Sequence, residues 1–432
     1  MNAFEQIIGH IENSKSFVLE AGAGSGKTYT LIQTLNYLIE HKGDLLKKSN
    51  QKIVCITYTN VAKNEINDRI ENNDLVLVST IHEFLWNSIK QYQKQLKKEL
   101  CKLNEINLER DKAKGKTDSR YIENLVDRID SIDKVEYNDT SFNDFEKGII
   151  QHDDVIEIVK LMYENYLLLT DILSEKFPYL FVDEYQDTAS ATITCLIDYL
   201  LNRNLCKIIL GFYGDSHQKI YDYGVGDLEK YYVSNGGFIE LVKKEENYRS
   251  SLSVVNLLNN FRKNIQQIPQ TASEGSVKFI YWKEHPEKLK KDIRKYNTEI
   301  SIFKNQFYDA VISKLSANGW VFDGASNDKG KVLVLANSRV AQRAGFGNLY
   351  SIFSRRFGQS TKERLLDRNH PLLTFFVGTI DKKTSQERKT GLEHLISFWN
   401  ESNQPVVHLA NINFNTVHIS IKEKQIQILN HS

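Results

Sequence analysis

Residues 21–28 read Ala-Gly-Ala-Gly-Ser-Gly-Lys-Thr and decide the fold of the first part of the chain. They follow an apolar run at residues 17–19 and open a segment with apolar residues at helical spacing, which predicts a strand, a glycine-rich turn and a helix. In such a turn, backbone N–H groups and the positive end of the helix surround a phosphate chain. Lys27 then reaches the outer phosphates, and the hydroxyl of Thr28 is placed to bind Mg²⁺. The stretch therefore predicts a nucleoside triphosphate site.

Length and composition are those of a globular protein. A chain of 432 residues exceeds one ordinary core, so we expect two or more domains. The formal net charge of +1 excludes a strongly basic tail but is compatible with a local basic groove. The four cysteines lack the spacing of a zinc site or a disulfide framework, which predicts reduced thiols and a cytoplasmic location. No apolar run approaches the length of a membrane span, so we expect no contact with a membrane.

Apolar runs alternate with helical segments along the first half of the chain. The predicted strands are residues 17–19, 52–57, 75–79, 179–182 and 207–212, and residues 155–173 carry apolar residues at helical spacing. This alternation predicts a parallel sheet with crossover helices. A stretch rich in lysine and glutamate at residues 94–120 predicts an inserted, solvent-exposed helical subdomain. Further strands are predicted at 277–281 and 331–335, in a second α/β unit, and near the end at 406–409, 416–421 and 426–429.

Two acidic residues stand where the predicted strand at 179–182 ends. Because α/β folds bind ligands at the carboxyl ends of their strands, Asp183 is predicted to hold Mg²⁺ and Glu184 to polarise the attacking water as general base. The loop after the next strand carries Gln218, whose amide is predicted to sense the γ-phosphate. In the second unit, Arg249 is predicted to act as an arginine finger and Tyr248 to stack on adenine.

The order and the residues of these motifs resemble those of the superfamily 1A helicases of the UvrD/Rep/PcrA group. Residues 21–28, called the P-loop below, resemble motif I of that group. Five further motifs follow in family order: motif Ia at 57–66, Ib at 79–82, II at 183–187, III at 214–221 and IV at 247–250. Gln6 stands where the group keeps a glutamine that reads adenine. The resemblance covers roughly the first 250 residues, and six motifs in order make it specific.

The resemblance implies a fold and a domain organisation. It implies a P-loop RecA-like α/β domain with a parallel sheet at residues 1–90 and 151–245, interrupted by a helical subdomain at 91–150. A partial second RecA-like domain is expected at 246–348 and a partial helical insertion at 349–432. No stretch resembles motif V or motif VI of the group. We therefore expect a truncated second domain, and a degenerate motor is the alternative.

The resemblance also implies ATP and Mg²⁺ as cofactors and single-stranded or partly duplex DNA as partner. The implied catalytic residues are Lys27, Asp183, Glu184, Gln218 and Arg249, and the implied Mg²⁺ ligands are Thr28 and Asp183. The implied ATP-binding residues are Gln6, Ala21, Gly22, Ala23, Gly24, Ser25, Gly26, Lys27, Thr28, Tyr29 and Tyr248. The implied DNA-binding residues are Thr57, Tyr58, Asn60, Thr80, His82, Tyr221 and Tyr223; stacking of bases on tyrosine is tolerant of sequence.

Two positions depart from the pattern of the group. Tyr29 stands where the group has an arginine that clamps adenine, so the selectivity for the base is open at this point. Tyr223 and Gly224 replace a tryptophan and an arginine, which predicts a weaker grip on one base and its phosphate.

Three functions are compatible with these motifs. The leading prediction is an ATP-dependent translocase or helicase on single-stranded DNA, with 3′-to-5′ polarity taken from the group, in DNA repair, recombination or phage defence. The second is the helicase subunit of a helicase–nuclease complex, whose nuclease would be a partner subunit because this chain carries no nuclease signature. The third is an ATP-dependent DNA sensor or regulatory subunit that does not unwind DNA.

Overall fold

The computed structural model describes most of the first 281 residues and parts of the remainder. The described residues are 2–115, 121–138, 143–220, 224–262, 264–281, 293–322, 330–333, 337–343, 345, 347, 350, 420–422 and 425–427. The chain divides into two compact units, Met1–Lys304 and Asn305–Ser432. Within the described residues, no helix combines the length and apolar character needed to cross a membrane.

The first unit is built on a six-stranded sheet in which every neighbouring pair of strands is parallel. The strands of this unit are β1 (Phe17–Ala21), β2 (Ile53–Thr57), β3 (Val76–Thr80), β4 (Glu136–Tyr137), β5 (Ile149–Ile150), β6 (Tyr179–Asp183), β7 (Ile209–Gly214), β8 (Glu240–Lys244), β9 (Glu246–Asn247) and β10 (Ile268–Pro269). The order in the sheet is β3-β2-β6-β7-β1-β8. The two short pairs β4–β5 and β9–β10 lie outside it.

Helices cover both faces of this sheet. Over the described residues of both units, the helices are α1 (Ala3–Glu12), α2 (Lys27–Lys48), α3 (Asn60–Arg69), α4 (Ile81–Ile89), α5 (Gln93–Ala113), α6 (Leu125–Arg128), α7 (His152–Asn165), α8 (Leu167–Lys176), α9 (Ser190–Ile193, continued by a π-helical segment Thr194–Leu201), α10 (Leu252–Phe261), α11 (Ile293–Ser316) and α12 (Asn337–Arg343). Helices α1 to α10 lie in the first unit and α12 lies in the second. One apolar core packs α1, α2 and α3 on the sheet, and a second packs α4, α5, α7 and α8. Strands β1, β2 and β7 are buried along their whole length, as expected for a parallel sheet covered on both sides.

The first unit confirms the strands predicted at 17–19, 52–57, 75–79, 179–182 and 207–212, which are β1, β2, β3, β6 and β7. The helical spacing at 155–173 is confirmed, and the structure divides this segment into α7 and α8 at Tyr166 (φ −123°, ψ 84°). There the Tyr166 hydroxyl donates to Oε1 of the buried Glu99 at 3.0 Å. This tertiary bond accompanies the departure from helical geometry.

The strand predicted at 277–281 is wrong, since these residues are not assigned to any strand and Phe279 is 87% exposed. A strand needs a neighbouring strand to pair with, and no strand of the described residues pairs with 277–281. Within the second unit, β11 (Ser420–Lys422) and β12 (Gln425–Gln427) form an antiparallel pair in the region of the last two predicted strands. Residues 331–333 form no strand with other described residues, while 334–335 and the predicted strand at 406–409 lie outside the described residues.

Candidate functional site

The sheet topology brings the carboxyl ends of its strands to one edge. Ala21 pairs in register with Lys244 on one side, and Asp183 pairs with Tyr213 near the end of β7. Strand β1 therefore delivers the P-loop next to the ends of β7 and β8, while β6 delivers the two acids one strand further along. This edge is where parallel α/β sheets bind their ligands.

The P-loop has the backbone of an anion-binding turn. Gly24 and Gly26 take positive φ angles of 79° and 82°, a region that favours glycine. Gly26 is the N-cap of α2, and no side chain accepts a hydrogen bond from the first turn of the helix. The hydroxyl of Ser25 is buried and has no hydrogen-bond partner among the described residues. The turn thus offers unused donors to an anion at the positive end of a 22-residue helix.

Lys27 and Glu184 meet across the sheet edge. The ammonium group of Lys27 donates to Oε2 of Glu184 at 2.8 Å, and Nε2 of Gln186 donates to the same oxygen at 2.7 Å. Glu184 has a left-handed backbone, with φ 49° and ψ 48°, which is uncommon for a residue with a side chain and recurs at functional sites. The structure thereby brings together two residues that the sequence predicts to be catalytic.

Asp183 is the buried acid of the pair. Its side chain is 6% exposed, and Oδ1 is buried with no hydrogen-bond partner among the described residues. Burial, followed by the charge of Glu184, raises the pKa of Asp183 to about 7. Such an orphaned carboxylate oxygen fits a ligand of Mg²⁺, which prefers oxygen donors and shares its shell with phosphates and water. The described residues hold no group of three or more His, Cys, Asp or Glu side chains that could bind a metal, so Mg²⁺ here would need oxygens from a nucleotide.

The segment at residues 246–270 packs directly on the P-loop. Nδ2 of Asn247 donates to the Ala23 carbonyl at 2.9 Å, and Nε2 of Gln267 donates to the same oxygen at 3.0 Å. The Tyr248 backbone N–H donates to the Gly24 carbonyl at 2.9 Å. Asn247 and Gln267 are 0% and 3% exposed. These bonds use carbonyl groups of the turn and none of its N–H groups.

Arg249 follows this contact and lies beside the P-loop. Its Cβ is 2.9 Å from the position that a Cβ on Gly24 would take. Its backbone N–H donates to Oδ1 of Asn247 at 3.0 Å, which fixes the turn, while the side chain is exposed. The structure therefore brings the backbone and Cβ of Arg249 to Gly24 of the P-loop.

A buried polar network links the end of β7 to the same segment. Asp215 accepts from Nε2 of Gln218 at 2.7 Å and from Nη2 of Arg262. Arg262 is 7% exposed, and its Nη1 has no hydrogen-bond partner among the described residues. That nitrogen lies 3.0 Å from the position that a Cβ on Gly22 would take. Sequence reasoning missed Arg262 and Gln267, because isolated polar residues after an amphipathic helix carry no motif.

The residues predicted to bind the adenine base are exposed or half-buried. Tyr29 and Tyr248 are 62% and 57% exposed, and Gln6 is half-buried on α1. The Cβ of Tyr29 lies 3.8 Å from the position of a Cβ on Gly26. The two tyrosine rings are thus accessible at the P-loop.

The predicted DNA-binding residues lie in different environments. Thr57 is 1% exposed, and Tyr58 and Asn60 are exposed after it. The hydroxyl of Thr80 caps α4 by accepting from the backbone of Glu83. Tyr221 and Tyr223 lie outside the described residues. A DNA contact at these positions stays a prediction.

His82 has one ring face covered. Its ring stacks on His152 with a centroid distance of 3.4 Å and an interplanar angle of 21°. The hydroxyl of Tyr137 lies 2.6 Å from Nδ1 of His152. Burial, with the neighbouring His152 as the second cause, lowers the pKa of His82 to about 3. A base cannot stack on the face that His152 occupies.

The fold and the site define a P-loop nucleotide-binding protein with a parallel α/β sheet. Residues 2–144 and 88–236 match the model of the UvrD/REP helicase N-terminal domain, and these matches together span more than half of the chain. The chain belongs to the UvrD/REP helicase family.

Curated relatives agree with this family. Gabija protein GajB of Bacillus cereus (strain HuB5-5) is 30% identical over 427 residues, covering 80% of this chain and 58% of that protein. ATP-dependent DNA helicase PcrA of Staphylococcus epidermidis is 27% identical over 309 residues, covering 61% of this chain and 41% of that protein. The chain thus spans about half the length of these relatives.

The similarity to solved structures is weak. A structure of two coordinating Pif1 helicases at forked double-stranded DNA has a TM-score of 0.28 and 15% identity, covering 60% of this chain and 47% of that one. A similarity of this size supports no residue-level comparison.

Proposed function

We propose that this chain is an ATP-dependent motor on single-stranded DNA, a translocase or helicase. The observation that carries the proposal is the ion pair between Lys27 Nζ and Glu184 Oε2 at 2.8 Å, beside the unpartnered Oδ1 of Asp183. A lysine at the N-terminus of a helix, an acid that can accept a proton and an unused buried carboxylate oxygen are the parts that phosphoryl transfer from ATP requires. Membership of the UvrD/REP helicase family supports DNA as the partner.

Each side chain has a stated role in this proposal. Lys27 exchanges its bond with Glu184 for bonds to the outer phosphates of ATP. Glu184, released from Lys27 and still held by Gln186, orients a water molecule and takes its proton. Asp183 and Thr28 would hold Mg²⁺, which supplies positive charge to the phosphates when bound. Arg249, next to the P-loop, would add positive charge where it develops in the transition state.

The finer properties remain proposals from the resemblance. They are 3′-to-5′ polarity, a role in DNA repair, recombination or phage defence, and a nuclease as partner subunit. The similarity to GajB and to PcrA supports a helicase in each case. Polarity is tested by comparing unwinding of duplexes with a 3′ tail and with a 5′ tail, where only the 3′ tail should support unwinding.

The central experiment measures ATP hydrolysis with and without single-stranded DNA. We expect stimulation by an oligonucleotide of mixed sequence, and collapse to background in Lys27→Met. The matched control is Lys48→Met, because Lys48 is an exposed residue at the far end of the same helix. ATP hydrolysis at the same rate with and without DNA would rule out the motor. If the chain binds both ATP and DNA but hydrolyses ATP only at the background rate, the result would favour the DNA sensor that does not unwind DNA over the motor.

A further inference from the structure

Lys244 is a buried lysine at the edge of the site that no motif assigns. It is the last residue of β8, pairs in register with Ala21 of the P-loop and is 9% exposed. Its Cε lies 4.0 Å from the position that a Cβ on Gly26 would take. The side chain therefore reaches the turn at which α2 begins.

The surroundings of Lys244 carry an excess of positive charge. The first turn of α2 contains no acidic residue, and a helix N-terminus carries roughly half a positive charge of its own. Lys27 adds a second cation there, but Glu184 neutralises it at 2.8 Å. The mostly buried side chain of Lys244 brings a further ammonium group to this place, which favours an anion beside it.

The described residues supply little compensation to Lys244. The carboxylate nearest to its ammonium group among them is Glu246, whose Oε2 is 3.7 Å away, which is too long for a hydrogen bond. That oxygen is itself buried without a hydrogen-bond partner among the described residues. Lys244 thus keeps donors unused at a place that attracts anions.

The position of Lys244 indicates which part of a nucleotide it meets. Its Nζ lies 5.8 Å from the ring centroid of Tyr248, whose side chain is 57% exposed. The ammonium group therefore lies between an accessible aromatic ring and the phosphate-binding turn at Gly26. In a nucleoside triphosphate, the group between the nucleoside and the outer phosphates is the α-phosphate.

We propose that Lys244 binds the α-phosphate of the nucleotide, and so contributes to the affinity for ADP and ATP alike. The proposal rests on the nucleotide site of the proposed function. The proposal assigns the α-phosphate to Lys244, whereas Lys27 contacts the outer phosphates.

The test is calorimetric titration of the full chain with ADP and with a non-hydrolysable analogue of ATP. We expect Lys244→Met to weaken both ligands by the same factor, about tenfold or more, because both lose one charge-assisted bond. Lys244→Arg, which keeps the charge, should retain part of the affinity. The matched control is Lys243→Met, since Lys243 is exposed on the same strand and donates to the Asn264 carbonyl at 3.1 Å.

Thermal unfolding without nucleotide separates binding from folding. Lys244→Met should still fold without nucleotide, with at most a modest loss of stability from its ion pair with Glu246 at 3.7 Å, while its stabilisation by ADP should shrink. Unchanged affinity, or a less stable variant with unchanged affinity, would overturn the proposal. Weaker binding of the ATP analogue alone would overturn the assignment to the α-phosphate, and an equal loss in Lys244→Arg would overturn its electrostatic basis. A wild type that binds neither nucleotide would instead overturn the proposed function.

Discussion

Arg262 donates a hydrogen bond from Nη2 to Oδ2 of Asp215, and the two side chains are 7% and 1% exposed. The bond joins the residue that follows α10 to the end of β7. Removing one partner of a buried ion pair leaves the other charge without compensation in the interior. The packing of the segment at 246–270 on the P-loop therefore depends on Asp215.

Arg262→Met should lower the free energy of unfolding by about 3–5 kcal/mol, because the buried Asp215 loses its ion-pair partner. Urea-induced unfolding of the single variants, and of Arg262→Met combined with Asp215→Asn, measures the coupling. The double variant should lose less than the sum of the single losses. The matched control is Arg128→Met, whose pair with Glu146 is exposed (52% and 55%) and should contribute less than about 1 kcal/mol. Strict additivity would contradict the coupling.

Gly22→Ala should displace the segment at 246–270 from the P-loop. A Cβ at this position would overlap the carboxamide of Gln267 and approach Nη1 of Arg262 to 3.0 Å. We expect weaker binding of ADP, measured by calorimetry, and partial recovery when Gln267→Ala makes room. Gly9→Ala is the control, because no atom lies within 4 Å of the added Cβ in that helix. A failure of Gln267→Ala to restore any binding would show that the clash is not the cause.

Glu184→Gln should separate binding from hydrolysis. The neutral amide no longer holds Lys27 by charge, so the affinity for ADP should rise slightly. ATP hydrolysis should fall by roughly 10²–10⁴-fold, because an amide does not accept the proton of the attacking water. The control is Glu240→Gln, which removes an ion pair with Lys15 at 2.7 Å, away from the P-loop. Turnover within tenfold of the wild type would exclude Glu184 as the general base.

His82 should contribute a loss of stability below neutral pH, opposite in sign to the contribution of Asp183, whose raised pKa favours the folded chain as the pH falls. The pKa of His82 is lowered to about 3 in the folded chain, chiefly by burial, from an ordinary value of 6.5. Between these values the unfolded chain binds the proton and the folded chain does not, so the contribution of His82 to the free energy of unfolding falls as the pH falls. The slope from one such group reaches about 1.4 kcal/mol per pH unit.

The measurement is urea-induced unfolding at several pH values from 7.5 to about 4.5. His82→Gln should remove the share of this one group from the pH dependence, and His41→Gln, at an exposed position, is the matched control. An unchanged pH profile in His82→Gln would show that His82 accepts a proton in the folded chain.

The central sheet could be predicted because buried parallel strands are continuous apolar runs. β6 reads Tyr-Leu-Phe-Val-Asp, and its last residue, Asp183, is an acid that indicates a site at the end of the strand. β8 reads Glu-Leu-Val-Lys-Lys. This strand could not be predicted, because its three charged residues interrupt the apolar run. The buried state of Lys244 was hidden for the same reason, since charge ordinarily predicts exposure.

The parts that could not be predicted depend on contacts between distant residues. The break between α7 and α8 coincides with the bond from Tyr166 to the buried Glu99, although local sequence favours one helix. The bonds of Asn247 and Gln267 to the P-loop carbonyl of Ala23 join residues more than 220 positions apart. The motif around Asn247 predicted a role at the site, but only the structure gives the contact. The predicted roles of the catalytic and DNA-binding residues stay predictions.

The place of β1 in the sheet has a consequence for synthesis of the chain. Its neighbours are β7 and β8, which begin at Ile209 and Glu240, whereas β1 ends at Ala21. At about 5–20 residues per second, a ribosome needs roughly 10–40 s to make the intervening residues before β1 has a partner. During that time the P-loop strand is an apolar segment without a sheet, which makes the nascent chain a candidate for chaperone binding. Nucleotide binding should therefore appear late in translation and in one step.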